Sequence, residues 1–352
     1  MALAAIAVVA AAAAFRGGSE AETVPWSPLP ESPLSAREPG AGIWTGEEVL
    51  ILGGSDAPPC HPSAGCVPPT EPPLADGAAY DPAARTWRSL AEAPVAFEWA
   101  QPLLAGTTVY LWIQGSSARP DAPRAFLAYD LEEDRWEELP VPTESERSGL
   151  TLLSAGNRVV AYELESAAGP DFVFDPAAGR WSELPPAPPT PGFDRVMAWD
   201  GDEVVLVDHE LTPNPGSEEE PIVTRAAAFD LERGSWRVLD DLEQAIAAIE
   251  GGEDGLLRDP RLRGWRTGPD DFTVAGFVDG ERSHYYGNPG LVLDVEREVW
   301  LRMPALRGET FGGGDATVAA GRSFVVWGGA GWPPGDEDGE LLADGWIWTP
   351  PG

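Results

Sequence analysis

The chain has 352 residues, a formal net charge of −35, and 23 basic side chains that are all arginine. So acidic a chain is repelled by nucleic acid and by anionic surfaces, leaving cations, proteins and glycans as partners. With no lysine, Schiff-base chemistry and lysine general bases are excluded, and 40 glycines with 37 prolines suit one large domain of short strands and turns.

Met1–Phe15 is an almost unbroken Ala/Val/Ile run. It is shorter than the ~18–20 apolar residues of a membrane span. Residues 1–21 are therefore expected to be a signal peptide, with Ser19-Glu20-Ala21 offering small residues for cleavage, or a clipped membrane anchor. Both readings place residues 22–352 outside the cytoplasm, secreted or tethered through the N-terminus. Trp26-Ser27-Pro28-Leu29-Pro30 then reads as an isolated strand, matching Trp136-Glu137-Glu138-Leu139-Pro140 further on.

Two signatures alternate from there. One is a glycine turn between two apolar runs, at Gly46, Gly106, Gly156, Gly201, Gly280 and Gly321. Each predicts a hairpin with glycine supplying positive φ. The other is aromatic–Asp, a turn, then Trp. It reads Tyr80-Asp81 to Trp87, Tyr129-Asp130 to Trp136, Phe174-Asp175 to Trp181 and Phe229-Asp230 to Trp236, with a weaker copy from Leu293-Asp294 to Trp300. Two hairpins make a four-stranded antiparallel sheet, and repetition at roughly 45–65 residues indicates a repeat architecture. The expected fold is an all-β, six-bladed propeller. Its last blade takes Gly345-Trp346-Ile347-Trp348 as third strand and the N-terminal Trp26 strand as fourth, which removes open edges. The one helix-like stretch is Asp240–Ile249.

The repeats resemble kelch-repeat propellers over residues 24–349. Gly53-Gly54 and Gly328-Gly329 match that family's glycine doublet. Gln114-Gly115, Tyr162-Glu163, Asp208-His209 and Tyr286-Gly287 depart from it. The resemblance implies a propeller and leaves function open, because kelch propellers host enzymes and binding proteins alike. An activity like galactose oxidase does not fit so few histidines and cysteines. One like a sialic-acid epimerase suits a six-bladed exported protein better.

Cys60 and Cys66 are the only cysteines and predict a disulfide, with a metal site as the alternative. The acidic runs Glu218-Glu219-Glu220 and Asp336 to Glu340 lack full calcium spacing. His61, His209 and His284 fall in three different repeats, so neither metal nor cofactor is expected. The repeated tryptophans read as packing. Trp44, Trp99, Trp199 and Trp332 stand outside the repeat and are candidates for ligand contact.

Antiparallel order sends every long connection to one face, where the innermost strands also begin. Glu98, Trp99, Arg147, Asp194, Arg195, Asp270, Asp271 and Asp315 should ring the mouth of the channel there. Glu98, Trp99, Arg147, Arg195, Asp271 and Asp315 are the candidate ligand-binding residues, and a solvated mouth of mutual ion pairs is the alternative. The expected function is a monomeric module that binds a protein or glycan, with a carbohydrate-active enzyme as the alternative.

Overall fold

The computed structural model describes residues 25–61, 66, 69–114, 124–142, 150–163, 170–188, 192–210, 224–239, 257–259, 262–266, 272–277, 290–294, 299–304, 306, 311–332 and 339–350. Asp240–Ile249 lies outside them. The described residues are all-β, in antiparallel sheets.

The chain opens with β1 (Ser27–Pro28). The first sheet is β2 (Ala41–Trp44), β3 (Val49–Gly54), β4 (Leu74–Asp81) and β5 (Thr86–Ser89). The second is β6 (Ala100–Ala105), β7 (Thr108–Ile113), β8 (Ala125–Asp130) and β9 (Arg135–Leu139). The third is β10 (Leu150–Ala155), β11 (Arg158–Glu163), β12 (Phe172–Asp175) and β13 (Arg180–Glu183). The fourth is β14 (Gly192–Trp199), β15 (Val204–Glu210), β16 (Thr224–Asp230) and β17 (Ser235–Leu239). Each runs in sequence order.

The fifth sheet has five strands: β18 (Leu257–Asp259), β19 (Leu262–Arg266), β20 (Phe272–Phe277), β21 (Gly290–Asp294) and β22 (Val299–Met303). Here the structure corrects the sequence reading. The strand before Gly280 was expected to fold back there onto a strand within 282–287. Instead, β20 lies between β19 and β21, with Trp265 opposite Val274 and Thr273 opposite Leu293. The segment Thr267-Gly268-Pro269-Asp270 has turn chemistry as good as that at Gly280, so the pattern alone reads both ways.

The last strands are β23 (Phe311–Gly313), β24 (Ala316–Ala320), β25 (Ser323–Trp327), β26 (Ala330–Trp332), β27 (Glu340–Leu341) and β28 (Gly345–Trp348). One sheet has the order β1-β28-β25-β24, joining the two ends of the described chain, with Ser27 opposite Ile347. A separate small sheet has the order β23-β26-β27.

The core lies between the sheets. In β3, alternate residues face opposite neighbours, as strand periodicity requires. Leu50 and Leu52 pack with Val109 and Leu111 of the second sheet. Val49 and Ile51 pack with Val318, Val325 and Trp327 of the last. The strand β7 does the same, with Tyr110 and Trp112 turned to the third sheet. This explains why second strands read as continuous apolar runs.

The aromatic–Asp…Trp signature has a local cause. Asp81, Asp130, Asp175 and Asp230 each accept two backbone N–H bonds across the following turn through Oδ1. The residue four positions later has positive φ: Arg85, Asp134, Gly179 or Gly234. That reversal sets Tyr80 opposite Trp87 and Tyr129 opposite Trp136, with ring centroids 5.1 and 4.7 Å apart. Each indole then reaches the neighbouring sheet. Trp87 donates to the carbonyl of Pro30, Trp136 to Ala91, Trp181 to Pro140, Trp236 to Pro185 and Trp26 to Pro304, at 2.6–3.0 Å. Each acceptor stands four residues after the signature tryptophan of its own sheet. Repeating sheets so linked are consistent with a β-propeller-like fold.

One copy of this turn is incomplete. Tyr129 donates its hydroxyl to Asp134 at 2.5 Å, but the buried hydroxyl of Tyr80 has no partner, because Arg85 holds the corresponding place. Arg85→Asp should supply the acceptor and suit positive φ better than arginine. The expected gain is about 1 kcal/mol in urea unfolding. A loss would mean that the bond from Arg85 to the carbonyl of Pro28 matters more.

Candidate functional site

Connections within hairpins are tight turns: residues 45–48, 106–107, 156–157 and 321–322 between first and second strands, and 82–85, 131–134, 176–179 and 231–234 between third and fourth. The connections at the other strand ends are longer, among them 55–73, 114–124 and 211–223. Contacts between sheets bring described residues at the roots of the first two of these connections to one face. Ala100 N–H donates to the carbonyl of Gly40 at 2.9 Å, and Gly54 N–H to that of Phe97 at 2.8 Å. Gln114 Nε2 reaches the carbonyl of Leu150. The rings of His61 and Trp332 meet edge to face at 5.7 Å.

The connection into β2 lies on this face. Glu38 exchanges two backbone hydrogen bonds with Ser55, both 2.9 Å. Only glycine fits at position 54, since its φ is +109° and a Cβ there would stand 2.1 Å from the carbonyl oxygen of Glu38. The Glu38 side chain crosses to the last sheet and lies against Gly314, where an added Cβ would come within 2.3 Å of Oε1. Asp315 follows, with Oδ2 accepting a 2.7 Å bond from Thr317. Glu98, from the connection into β6, bears electrostatically on Glu38 from the second sheet. Burial first, and then the charge of Glu98, push the Glu38 carboxyl above its ordinary value. Trp99 is 54 % exposed.

The structure thus brings Glu98 near Glu38 and sets Glu38 against Gly314, the residue before Asp315, while Trp99 follows Glu98 in sequence. Glu38 carries no motif and was missed in the sequence. Arg147 and Asp271 lie outside the described residues, and for Asp194 only the backbone is described. Arg195 is enclosed, at 2 % exposure. Its Nη1 donates to Asp171 at 2.9 Å and to the carbonyl of Glu163 at 3.1 Å, while Nη2 donates to Asp171 at 2.5 Å. Burial disfavours its charge, but Asp171 outweighs that and holds the guanidinium protonated. Two similar pairs brace other loop roots. Arg37 forks onto Asp76 and also reaches the carbonyl of Gly53, and Arg225 forks onto Asp208 with two 2.9 Å bonds.

Of the four non-repeating tryptophans, only Trp99 is exposed. Trp332 is 3 % exposed, and Trp44 and Trp199 pack against the cores. These three were candidates because they break the repeat, but each fills space between sheets. Cys60 and Cys66 form the disulfide, with Cα atoms 6.0 Å apart, in the first long connection. Among the described residues no three His, Cys, Asp or Glu side chains gather as a metal site.

No family model and no curated protein matches the chain.

Glu38 gives the site a pH signature. A carboxyl whose folded pKa is raised contributes stability below its unfolded pKa and loses that contribution as pH rises through the folded value. Glu38→Gln should therefore match wild type near pH 4 and exceed it in melting temperature at pH 7. A difference independent of pH would show that Glu38 is not under this strain.

Proposed function

We propose that the chain is an exported, kelch-like propeller of six blades that binds a protein or glycan through its long-loop face. The reading includes secretion or attachment through residues 1–21. The indole-to-carbonyl links between successive sheets and the pairing of β1 with β28 support the ring. The positive φ of both glycine doublets supports the kelch likeness. The observation that carries the functional reading is the asymmetry of the two faces. One has turns of two to four residues, and the other ends of the strands carry the longer connections, with Glu38, Glu98, Asp315 and exposed Trp99 at the same ends. A flat aromatic beside carboxylates suits hydroxyl-rich or cationic ligand surfaces. Arg195, paired and buried, enters as a brace for the loops.

The test is a screen of the purified protein against glycan and protein arrays, repeated with Trp99→Ala. A ligand of this face should bind about tenfold more weakly to the variant. Equal loss from changes at Glu47 or Asp202 would assign binding to the opposite face.

A second reading, a carbohydrate-active enzyme resembling a sialic-acid epimerase, draws on Glu38 beside Glu98. Two carboxyl groups in unequal environments can divide acid and base roles. In that case Glu38→Gln should abolish turnover of the bound sugar and leave its binding intact.

A further inference from the structure

Residues 37–40 are bonded through their backbone to three sheets. The N–H of Arg37 donates to the carbonyl of Leu342 at 3.2 Å, and its carbonyl accepts from Gly329 N–H at 2.8 Å, which ties it to the small sheet beside β27 and β26. Glu38 pairs with Ser55 after β3. Gly40 donates to the carbonyl of Leu52 in β3 at 3.1 Å and accepts from Ala100 of β6 at 2.9 Å. The segment is a strap that runs from the small sheet across the first sheet to the second. Its fit is close. A Cβ at Gly328 would stand 2.9 Å from the carbonyl oxygen of Arg37, and one at Gly40 would meet the Phe97 ring at 2.8 Å.

One side chain of the strap works against that fit. Glu38 is half-buried, with its carboxylate against Gly314. Its neighbour Arg37 is turned elsewhere, since the guanidinium forks onto Asp76 and donates to Ser35 and to the carbonyl of Gly53. The first sheet brings uncharged Gly54 and Ser55 to the strap. On the other side Gly314 is followed by Asp315, whose Oδ2 accepts from Thr317. The connection into β6 adds the negative charge of Glu98. We propose that the strap is a pH-sensitive fastening: protonated Glu38 holds it against β26 and β27, and ionised Glu38 loosens it there. An ionised carboxylate so placed gains by reaching water and by moving away from Glu98, and drawing residues 37 and 38 off Gly314 and Gly329 achieves both. Burial, and then Glu98, raise the Glu38 pKa. The fastening is therefore complete below the unfolded-chain value and weakens as pH rises through the folded one. The opening is local and leaves the sheets themselves paired.

The test is amide hydrogen exchange of the dilute full chain, read by mass spectrometry and corrected for the intrinsic effect of pH. The amides followed are Arg37, Gly329 and Leu342, with β7 as the reference. At pH 7, Glu38→Gln should protect the three amides several-fold more than wild type and leave β7 unchanged, while near pH 4 the two proteins should agree. Glu98→Gln, which keeps the Glu38 carboxyl and removes its repulsion, should give part of the same gain at pH 7. Equal protection in wild type and Glu38→Gln at pH 7 overturns the proposal. So does a gain of the same size at both pH values, or one shared by β7, since either would be a general change in stability and not a release of the strap. None of these outcomes touches ligand binding by the long-loop face, which Trp99→Ala tests separately.

Discussion

Removing residues 24–33 should cost more stability than any other change of similar size, with the melting temperature falling by well over ten degrees. That segment supplies β1 and covers the edge of β28. Its Trp26, 9 % exposed, packs at a tilt against Trp348 and bonds the carbonyl of Pro304, while Pro30 accepts the indole N–H of Trp87. The deletion therefore breaks contacts to the fifth and first sheets as well as its own. Trp26→Ala alone should cost about 3–5 kcal/mol, the usual range for emptying a buried aromatic site. Denaturant unfolding measures both. A truncated protein that unfolds at the wild-type midpoint would show that the joined ends do not stabilise the fold.

Asp171→Asn should produce the second large loss, about 3–5 kcal/mol, because it leaves the buried Arg195 guanidinium without its counter-charge. Asp208 bears on Arg195 electrostatically but is itself held by Arg225. The paired change Arg195→Met with Asp171→Leu removes both charges and should recover most of the loss, since a buried ion pair gains little net energy over apolar packing. A double variant as unstable as the single one would mean that the hydrogen bond from Arg195 to the carbonyl of Glu163, and not charge balance, secures that loop root.

Which of these features could be read beforehand follows from how local their causes are. The Tyr80–Trp87 hairpin and its relatives were legible, because turn, register and ring contact all arise within eight consecutive residues. The pairing of Trp26–Pro30 with Gly345–Trp348 was legible by subtraction, since one hairpin lacked its last strand. The fifth sheet was misread where two turn-forming stretches compete, at Gly268-Pro269 and Gly280. The position of Arg195 near the start of β14 could be inferred, but its burial could not. Its partner Asp171 stands before β12 in the preceding sheet, and no spacing rule relates the two. Glu38 was invisible for the same reason. Its significance comes from Gly314 and Glu98, residues of the last and second sheets that only the tertiary structure brings near.

The sheet shared by β1 and β28 also bears on where the chain needs to be cut at all. Trp348 and Trp26 lie side by side at the point where the other sheets have a four-residue turn. A linker of that length could join them, and new ends could be opened at an exposed turn such as Gly179. Such a circular permutant would keep every strand pairing described here. Its seam would lie in a sheet held by local hairpins, so the order in which the protein assembles during synthesis would change while the finished fold would not.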